Sequence, residues 1–195
     1  MFLVRRPSPQ EIKRFRDRSQ DLPLSYDRIG IAKGSPRGYK IDEASSVIGQ
    51  GVETFARAKQ ALMKWKQFEL GWVELHPRDA PIEMGTVVAV LVRHLGFWSL
   101  NGCRIVYVID EDEMKYGFAY GTLANHAELG EEIFEVGFDP GSQEVTYRIR
   151  AVSKAHAALA RIGFPYTRFL QERFRRDSIA AMRRALGTHA SGVLQ

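Results

Sequence analysis

The chain has 195 residues, of which 45% are hydrophobic, 11% aromatic and 26% charged, and its formal net charge is +5. This composition is typical of a globular protein and excludes an intrinsically disordered one. A compact chain of this length buries roughly 70% of the surface that its unfolded form exposes. We therefore expect one domain with a hydrophobic core of its own.

The cysteine content and the start of the chain bear on its compartment. Cys103 is the single cysteine, which excludes an intramolecular disulfide and a four-thiolate zinc site within one chain. Arg5 and Arg6 follow four apolar residues, which reverses the charge order of a secretory signal, and no apolar run is long enough to span a bilayer. These features predict a cytoplasmic protein without a transmembrane segment.

Positive charge is concentrated at the two ends, in residues 5–18 and 168–184. Such clusters could bind the phosphates of a nucleic acid or of a membrane surface. Glu172 and Asp177 are interleaved with the arginines, however, and no nucleic-acid-binding motif is found. The pattern therefore favours solvated helix faces over a nucleic-acid or membrane-surface platform.

Two helices are predicted in the first 70 residues. Ser8, with Glu11 three residues later, is typical of a capping box and predicts a short helix that ends near Arg18. Residues 22–38 are rich in glycine and proline and predict a loop over the domain, followed by a weak strand at 39–48. Apolar residues at three- and four-residue spacing then predict an amphipathic helix over 52–70.

The pattern changes after residue 71 to short strands separated by turn residues. The connections are too short to contain crossover helices, so we expect an antiparallel meander. The predicted strands cover residues 72–75, 86–93, 104–109, 116–123, 131–138 and 145–152.

The last segment, residues 155–186, predicts a long helix with an interruption at Pro165, which either kinks the helix or begins its second half. Its apolar stripe includes Tyr166, Leu170 and Phe174 and needs an apolar surface to lie on. The chain is thus predicted to be a single domain over 1–186, covered by residues 1–38, with a flexible tail at 187–195.

This order of elements predicts an α+β fold, in which a curved antiparallel sheet of about seven strands wraps around the C-terminal helix. A helix lies close to a strongly twisted sheet along only part of its length, so a gap is expected between them. Such a gap suits a small, largely apolar ligand. No cofactor is predicted, because the Gly49 and Gly51 turn lacks the third glycine of a dinucleotide fingerprint.

Strand alternation predicts the side chains that line this gap. Tyrosine hydroxyls would orient a polar ligand group, and an arginine could bind a ligand carboxylate. On strand 116–123 the sequence does not decide whether the face of Phe118 or that of Gly117 is inside. The predicted ligand-binding residues are Arg104, Tyr107, Tyr120, Thr122, Phe134, Tyr147, Ile149, Tyr166 and Leu170.

The densest group of reactive side chains comprises His126, Glu128, Glu131 and Glu132. Glutamates at a strand start are usually solvated, so no metal site is predicted. His126 and Glu132 are the candidates for general acid or base catalysis, because a carboxyl packed against Phe134 would have a raised pKa. A structural role for this cluster is favoured over catalysis.

Five segments carry a resemblance to known proteins: residues 68–73 (FELGWV), 101–108 (NGCRIVYV), 116–123 (YGFAYGTL), 126–132 (HAELGEE) and 174–178 (FRRDS). Over residues 26–186 the chain resembles a bacterial and plant family catalogued as a domain of unknown function. That family is similar to the helix-grip superfamily, which includes START domains, birch-pollen-allergen proteins and polyketide cyclases. The resemblance implies the same order of elements and a hydrophobic ligand, but no particular catalytic residues.

Three functions remain open at this point. The favoured hypothesis is binding or carrying of a small hydrophobic ligand, lipid-like or aromatic, between the sheet and the C-terminal helix. The first alternative is an enzyme of the cyclase, dehydratase or hydrolase type that uses His126 and Glu132. The second is the nucleic-acid or membrane-surface module. The sequence leaves the ligand, any reaction and the oligomeric state undecided.

Overall fold

The computed structural model describes residues 1–111, 114–155 and 164–187. Within these ranges, eight strands form one antiparallel sheet. The strands are β1 (Phe2–Leu3), β2 (Lys40–Gln50), β3 (Val73–His76), β4 (Val87–Arg93), β5 (Trp98–Glu111), β6 (Lys115–Thr122), β7 (Glu128–Phe138) and β8 (Glu144–Ala155). The helices are α1 (Pro9–Ser19), α2 (Val52–Met63) and α3 (Phe164–Ala185), with 3-10 turns at Ile31–Lys33 and Lys66–Phe68.

The sheet has the strand order β2-β8-β7-β6-β5-β4-β3, and the short β1 pairs with β5 beside this path. From β3 to β8 each strand pairs with the next, which is the predicted meander. The sheet is curved, and both α2 and α3 pack on its concave side. The predicted α+β fold, with about seven main strands around a C-terminal helix, is confirmed.

The largest hydrophobic core lies between the concave face and the two helices. Its aromatic rings are in direct contact: Trp65 lies 4.7 Å from Phe118, and Phe68 lies 5.6 Å from Phe134 and 5.3 Å from Phe174, measured between ring centroids. This packing fills the space between sheet and helices at one end of the concave face.

The convex face is also covered, because α1 and the following loop pack on it. Ile12 of α1 contacts Ala89, Leu91 and Leu100 of β4 and β5. The predicted capping box is confirmed, since Ser8 Oγ accepts a hydrogen bond from Glu11 N at 3.3 Å and Ser8 N donates to Glu11 Oε2 at 2.7 Å. The sheet is therefore buried on both sides.

A buried carboxylate holds this loop on the convex face. Glu131 of β7 is only 2% exposed, and its two oxygens accept four hydrogen bonds. Burial and the charge of Glu131 raise the pKa of both tyrosines that contribute, so their hydroxyls keep their protons and donate. The donors are Tyr26 Oη (2.9 Å), Gly30 N (2.9 Å), Ala32 N (3.2 Å) and Tyr107 Oη (2.8 Å).

The same loop explains the small residues of β6. The face that carries Gly121 and Ala119 lies under the loop, and a Cβ at Gly121 would come within 2.2 Å of Tyr26 Oη. The close approach of this loop therefore requires the small side chains. Tyr120 and Thr122 consequently face the concave side.

The predicted helix over 52–70 is too long. The α-helix ends at Met63, because Trp65 adopts a left-handed conformation with φ of 55° and a 3-10 turn follows. This break lets the buried indole Nε1 of Trp65 donate to Ala80 O at 2.8 Å and brings Phe68 into the core. Long-range packing thus overrides the helical periodicity.

The largest differences from the predicted strand boundaries are in β5, β7 and β8. β5 begins at Trp98 instead of 104, because Gly102 lies within the strand, where a Cβ would meet Asn125 Oδ1 at 2.5 Å. β7 begins at Glu128, and Ala155 ends β8 instead of beginning a helix. The strand β1 was not predicted.

The last predicted helix is described from Phe164 onwards, with Pro165 in its first turn, where proline's missing amide breaks no hydrogen bond. The predicted helical residues 156–163 and residues 188–195 of the predicted tail lie outside the described residues.

We predict that Glu131→Gln destabilises the protein. The amide would place a donor against backbone and hydroxyl donors and would remove the charge that strengthens these bonds, at a cost of about 2–4 kcal/mol. Thermal unfolding should shift down by roughly 5–15 °C. The control Glu144→Gln changes an exposed side chain on β8 and should stay within about 0.5 kcal/mol. Equal melting temperatures for the two variants would contradict the role of Glu131.

Candidate functional site

A cavity of about 860 Å³ lies between the concave face and α3. Its wall is mostly apolar, and one end carries ionisable and amide side chains. The apolar part includes Phe68, Trp72, Val90, Val92, Leu170 and Phe174, and the polar part includes Ser99, Asn101, Tyr120, His126, Glu128, Glu132, Arg168, Gln171 and Arg175.

Small side chains explain why the cavity stays open at the polar end. Ala127, Gly130, Ala151 and Ser153 lie in the wall where β7 begins and β8 ends. At the other end of the concave face, large aromatic rings occupy the corresponding space. The difference in side-chain volume along β7 and β8 therefore creates the cavity.

The unpredicted strand β1 forms part of the wall. Phe2, Leu3 and Val4 line the cavity, together with His94 and Phe97 from the β4–β5 connection. The rings of His94 and Phe97 are stacked, with centroids 4.4 Å apart and an interplanar angle of 9°. The pairing of β1 with β5 places the ring of Phe2 beside them, with centroids 6.4 Å from His94 and 5.9 Å from Phe97. No local pattern in the sequence indicated this pairing.

Two glutamates in the wall each accept one hydrogen bond from a neutral donor. Tyr120 Oη donates to Glu132 Oε2 at 2.7 Å, and Gln171 Nε2 donates to Glu128 Oε2 at 2.8 Å. Burial raises the pKa of Glu132 to about 7, against the opposing effect of the Tyr120 hydrogen bond. Burial likewise raises the pKa of Glu128. Glu132 can therefore gain or lose a proton near neutral pH.

An ion pair closes the polar end. Arg168 binds both oxygens of Asp42, with 2.7 Å between Arg168 Nη2 and Asp42 Oδ1, and Arg175 approaches the same oxygen at 3.8 Å. Burial alone would raise the pKa of Asp42, but the hydrogen bonds and charge of Arg168 outweigh it and hold this pKa below its ordinary value. Asp42 is therefore ionised and balances arginine charge.

His126 lines the same cavity as Glu132, but as a neutral ring. Its Nδ1 lies 2.8 Å from the backbone N of Glu128, which donates to it. Burial lowers the pKa of His126 to about 4, against the opposing effect of the Glu128 backbone. The two candidates for acid–base chemistry are thus brought to one cavity, and Glu132 is the one that titrates near pH 7.

Four predicted ligand-binding residues lie in the cavity wall: Tyr120, Thr122, Tyr166 and Leu170. The hydroxyl of Thr122 is already used, since its Oγ1 accepts from Gly130 N at 2.8 Å. The hydroxyl of Tyr166 lies 3.4 Å from His94 Nδ1. Leu170 presents an apolar side chain to the cavity.

Three further predicted residues face the concave side but lie behind the cavity wall. Phe134, Tyr147 and Ile149 are completely buried in the core. Tyr147 Oη shares a hydrogen bond of 2.9 Å with Ser178 Oγ of α3. Strand parity was therefore predicted correctly for these residues, but α3 and the aromatic rings cover them.

Arg104 and Tyr107 were placed wrongly, because both lie on the convex side. Arg104 Nη2 donates to the backbone oxygens of Gln20 and Leu22 at 2.6 and 3.0 Å, and Tyr107 binds Glu131. The register shifts between Ile105 and Tyr107, which is a β-bulge. In a regular strand, alternation would put Tyr107 on the concave side. The extra residue of the bulge reverses the alternation, so Tyr107 lies on the convex side.

Sequence reasoning missed the helix residues of the polar end. Arg168, Gln171 and Arg175 follow a spacing of three and four residues, which puts them on one face of α3. This spacing is a signal that was available in the sequence. The cluster of arginines was instead interpreted as a solvated face.

Acidic side chains balance much of the charge at the two basic ends. Arg5 pairs with Glu11 and Lys13 with Asp17, each at 2.7 Å. Near the other end, Asp177 pairs with Arg173 and Arg176 at 3.4 and 3.2 Å. This pairing supports the interpretation as helix faces. In the described part of the chain, no helix combines the length and the apolar character that crossing a bilayer requires.

No group of three metal-binding side chains is assembled within residues 1–111, 114–155 and 164–187. Glu128 and His126 are adjacent, but Nδ1 of His126 binds the backbone of Glu128. The side chains of the cavity wall offer carboxyl, hydroxyl, phenol, imidazole, amide, ammonium and guanidinium groups.

We predict that the stability change caused by Glu132→Gln depends on pH. The folded protein holds the Glu132 proton up to about pH 7, whereas an ordinary glutamate loses it near 4.5, so this group's stabilisation is lost as the pH rises between these values. Glutamine cannot ionise and keeps the acceptor for Tyr120. The variant should match the wild type at pH 4.5 and melt roughly 5–15 °C higher at pH 8.

His126 has the opposite effect on the pH dependence of stability. Its pKa is lowered in the folded state, so its contribution to stability is lost as the pH falls from 6.5 to about 4. Glu132→Gln should therefore lose stability more steeply than the wild type on acidification, which melting curves from pH 4.5 to 8 measure. The control Glu144→Gln keeps both groups and should show the same pH dependence as the wild type, whereas a pH-independent difference between Glu132→Gln and the wild type would contradict the raised pKa.

A family model described as "Domain of unknown function (DUF1990)" matches residues 25–181. A UPF0548 protein of Dictyostelium discoideum is 31% identical over 210 residues, covering 97% of this chain and 97% of its own length. UPF0548 protein At2g17695 of Arabidopsis thaliana is 32% identical over 150 residues, covering 74% of this chain and 72% of its own. A UPF0548 protein of Deinococcus radiodurans is 32% identical and covers 96% of this chain and all of its own length.

Solved structures share the fold at low identity. Ara h 8.0201 has a TM-score of 0.52 at 12% identity and covers 78% of this chain and 100% of its own. TTHA0849 from Thermus thermophilus has a TM-score of 0.54 at 13% identity, with the same coverage. A Thalictrum norcoclaurine synthase has a TM-score of 0.50 at 10% identity and covers 74% of this chain and 94% of its own. These structures show the helix-grip architecture, and the sequence matches show that the chain belongs to the DUF1990/UPF0548 family.

Proposed function

We propose that this protein binds a small, largely apolar molecule in the cavity between the sheet and α3. The observation that carries the proposal is the cavity itself, at about 860 Å³ with an apolar wall and polar groups gathered at one end. Ligand sites in proteins are typically ~300–1,000 Å³, mostly apolar, with few polar groups that orient the ligand. The cavity has each of these properties.

The shared fold gives secondary support. The Thalictrum norcoclaurine synthase was solved in complex with a transition-state analogue, so a chain of this architecture can hold a small molecule. At 10% identity, this similarity concerns the architecture and carries over no ligand or residue role. The side chains of this chain's own cavity therefore define the ligand class.

We predict that the purified protein retains small apolar molecules from a lipid extract and that Leu170→Trp prevents this. Leu170 lies in the cavity wall, and an indole there would occupy the space of the ligand. Native mass spectrometry after incubation with the extract should show at least a tenfold loss of bound mass, which corresponds to about 1.4 kcal/mol.

The matched control is Phe169→Trp. Phe169 is the neighbouring residue on α3 and is 55% exposed, so the same indole is added outside the cavity. This variant should retain the same molecules as the wild type. A wild-type protein that binds nothing from the extract, or equal retention by Leu170→Trp and the wild type, would refute the proposed binding site.

Acid–base catalysis in the same cavity is the second candidate. The observation that favours it is a carboxyl group in the wall with a pKa of about 7, which suits proton transfer at neutral pH. Glu132 would donate or accept the proton, Tyr120 would orient it, and the neutral His126 could take part only as a hydrogen-bonding group.

This candidate predicts that molecules retained from the extract are converted by the wild-type protein. Glu132→Gln should bind them and convert them at least about a hundredfold more slowly, because general acid–base catalysis contributes roughly 10²–10⁴-fold. The measurement is the mass of the molecules recovered after prolonged incubation. Recovery of unchanged molecules from the wild type would leave binding as the function and contradict catalysis.

A further inference from the structure

At the polar end of the cavity, the arginines have an anionic partner in direct contact, whereas the glutamates have no cationic one. Arg168 donates to both oxygens of Asp42 and, through Nη1, to Gln171 Oε1 at 2.7 Å. Arg175 lies 3.8 Å from Asp42 Oδ1 and is only slightly exposed. The two arginines therefore have an anionic partner already, outside the cavity wall.

The two carboxyl groups in the wall lack a close cationic partner. Glu128 and Glu132 each accept a single hydrogen bond, at Oε2, from Gln171 and Tyr120 respectively. Within the described ranges, no donor reaches the Oε1 atom of either residue and no salt bridge includes them. Because a carboxylate offers about four acceptor positions, most of this capacity is unused.

We propose that the ligand of this cavity is an apolar molecule with a protonated amine, whose ammonium group lies against Glu128 and Glu132. This inference rests on the proposed binding function and specifies its ligand class. An ammonium group supplies three donors and a positive charge in direct contact with the two carboxyl groups, whereas Arg168 and Arg175 act on them only from a distance. The apolar body of the ligand then contacts Phe68, Val90 and Leu170 in the wall.

Other polar groups fit this end less well. A ligand carboxylate would disfavour the ionised forms of the two glutamates further, and the arginine neighbours of these glutamates are bound to Asp42. A neutral alcohol would satisfy a hydrogen bond but would leave the charges unbalanced. An amine is therefore expected to bind more tightly than an alcohol, and an alcohol more tightly than a carboxylate.

Binding of an amine should release a proton near neutral pH. Burial raises the pKa of both glutamates in the empty cavity, and a bound ammonium group favours their ionised forms. The ionisable groups that act on Glu132 are Glu128, Asp42, Arg175, Tyr120, Cys103 and Tyr147, and those that act on Glu128 are Asp42, Arg168 and Tyr120. Lys40 lines the same cavity, and His126 shares it as a neutral ring. Burial raises the pKa of Cys103, Tyr120 and Tyr147, so Glu128 and Glu132 are the groups that release the proton.

The test compares dodecylamine, dodecanol and dodecanoate, which share one chain length and differ in the polar group. Displacement of the neutral fluorophore Nile red from the full-length protein at pH 7 measures their dissociation constants. Dodecylamine should bind at least tenfold more tightly than dodecanol. Titration calorimetry in buffers of different ionisation enthalpy should show proton release with dodecylamine and none with dodecanol.

Variants assign the preference to the two glutamates. Glu128→Gln and Glu132→Gln should each lower the preference for dodecylamine over dodecanol to less than threefold, while dodecanol binding changes little. Glu144→Gln removes the same charge from the exposed end of β8 and should keep the tenfold preference. The ratio within each variant is independent of any loss in the folded fraction.

The outcomes separate this inference from the proposed function. Binding of dodecanol without a preference for dodecylamine, or a preference for dodecanoate, would overturn the inference of an amine ligand. The proposed binding function would be supported by the same result. A preference that survives in both glutamate variants would also overturn it. Failure of all three compounds to displace Nile red would refute the inference together with the proposed binding function.

Discussion

The architecture depends on one constraint: the side chains of β7 alternate between two buried sides of the sheet. Glu131 and Glu132 are neighbours in the chain, yet one points to the convex face and the other to the cavity. Four donors satisfy Glu131, so its charge fastens the loop of residues 24–34 to the sheet. Burial raises the pKa of Glu132, and the hydrogen bond from Tyr120 offsets this effect only in part. The same residue type is structural at one position and chemically available at the next, because hydrogen bonding and burial differ between the two faces.

The cavity beside Glu132 exists because the side chains that cover the concave face are large at one end and small at the other. Aromatic rings of α3, the Lys66–Phe68 turn, β6 and β7 fill one end, whereas Gly130, Ala151 and Ser153 leave the other end open. The resulting cavity of about 860 Å³ has a mostly apolar wall and falls within the size range of ligand sites in proteins. These properties support the proposed binding of a small molecule.

At the polar end of the cavity, the arginines and the glutamates lie close together but have different partners. The arginines of α3 are held by Asp42, which stays ionised because Arg168 stabilises its charge. The glutamates of β7 are close to these groups but are bound by neutral donors. This arrangement keeps the arginines from pairing with the glutamates and leaves anionic capacity at the cavity wall. The proposed binding and the proposed proton transfer would therefore involve the same carboxyl groups.

The sequence by itself determined the order of the main elements, the capping box at Ser8, the antiparallel meander and the inward parity of Glu132 and Tyr147, because capping and strand alternation are local properties of the chain. Only the tertiary structure decided which inward residues reach the cavity. The bulge after Ile105 keeps Tyr107 on the convex face, Arg104 binds carbonyls 82 and 84 residues away, and Gln171 meets Glu128 across 43 residues. Such contacts depend on strand register and on how a helix lies against a curved sheet, and neither is encoded in the spacing of neighbouring residues.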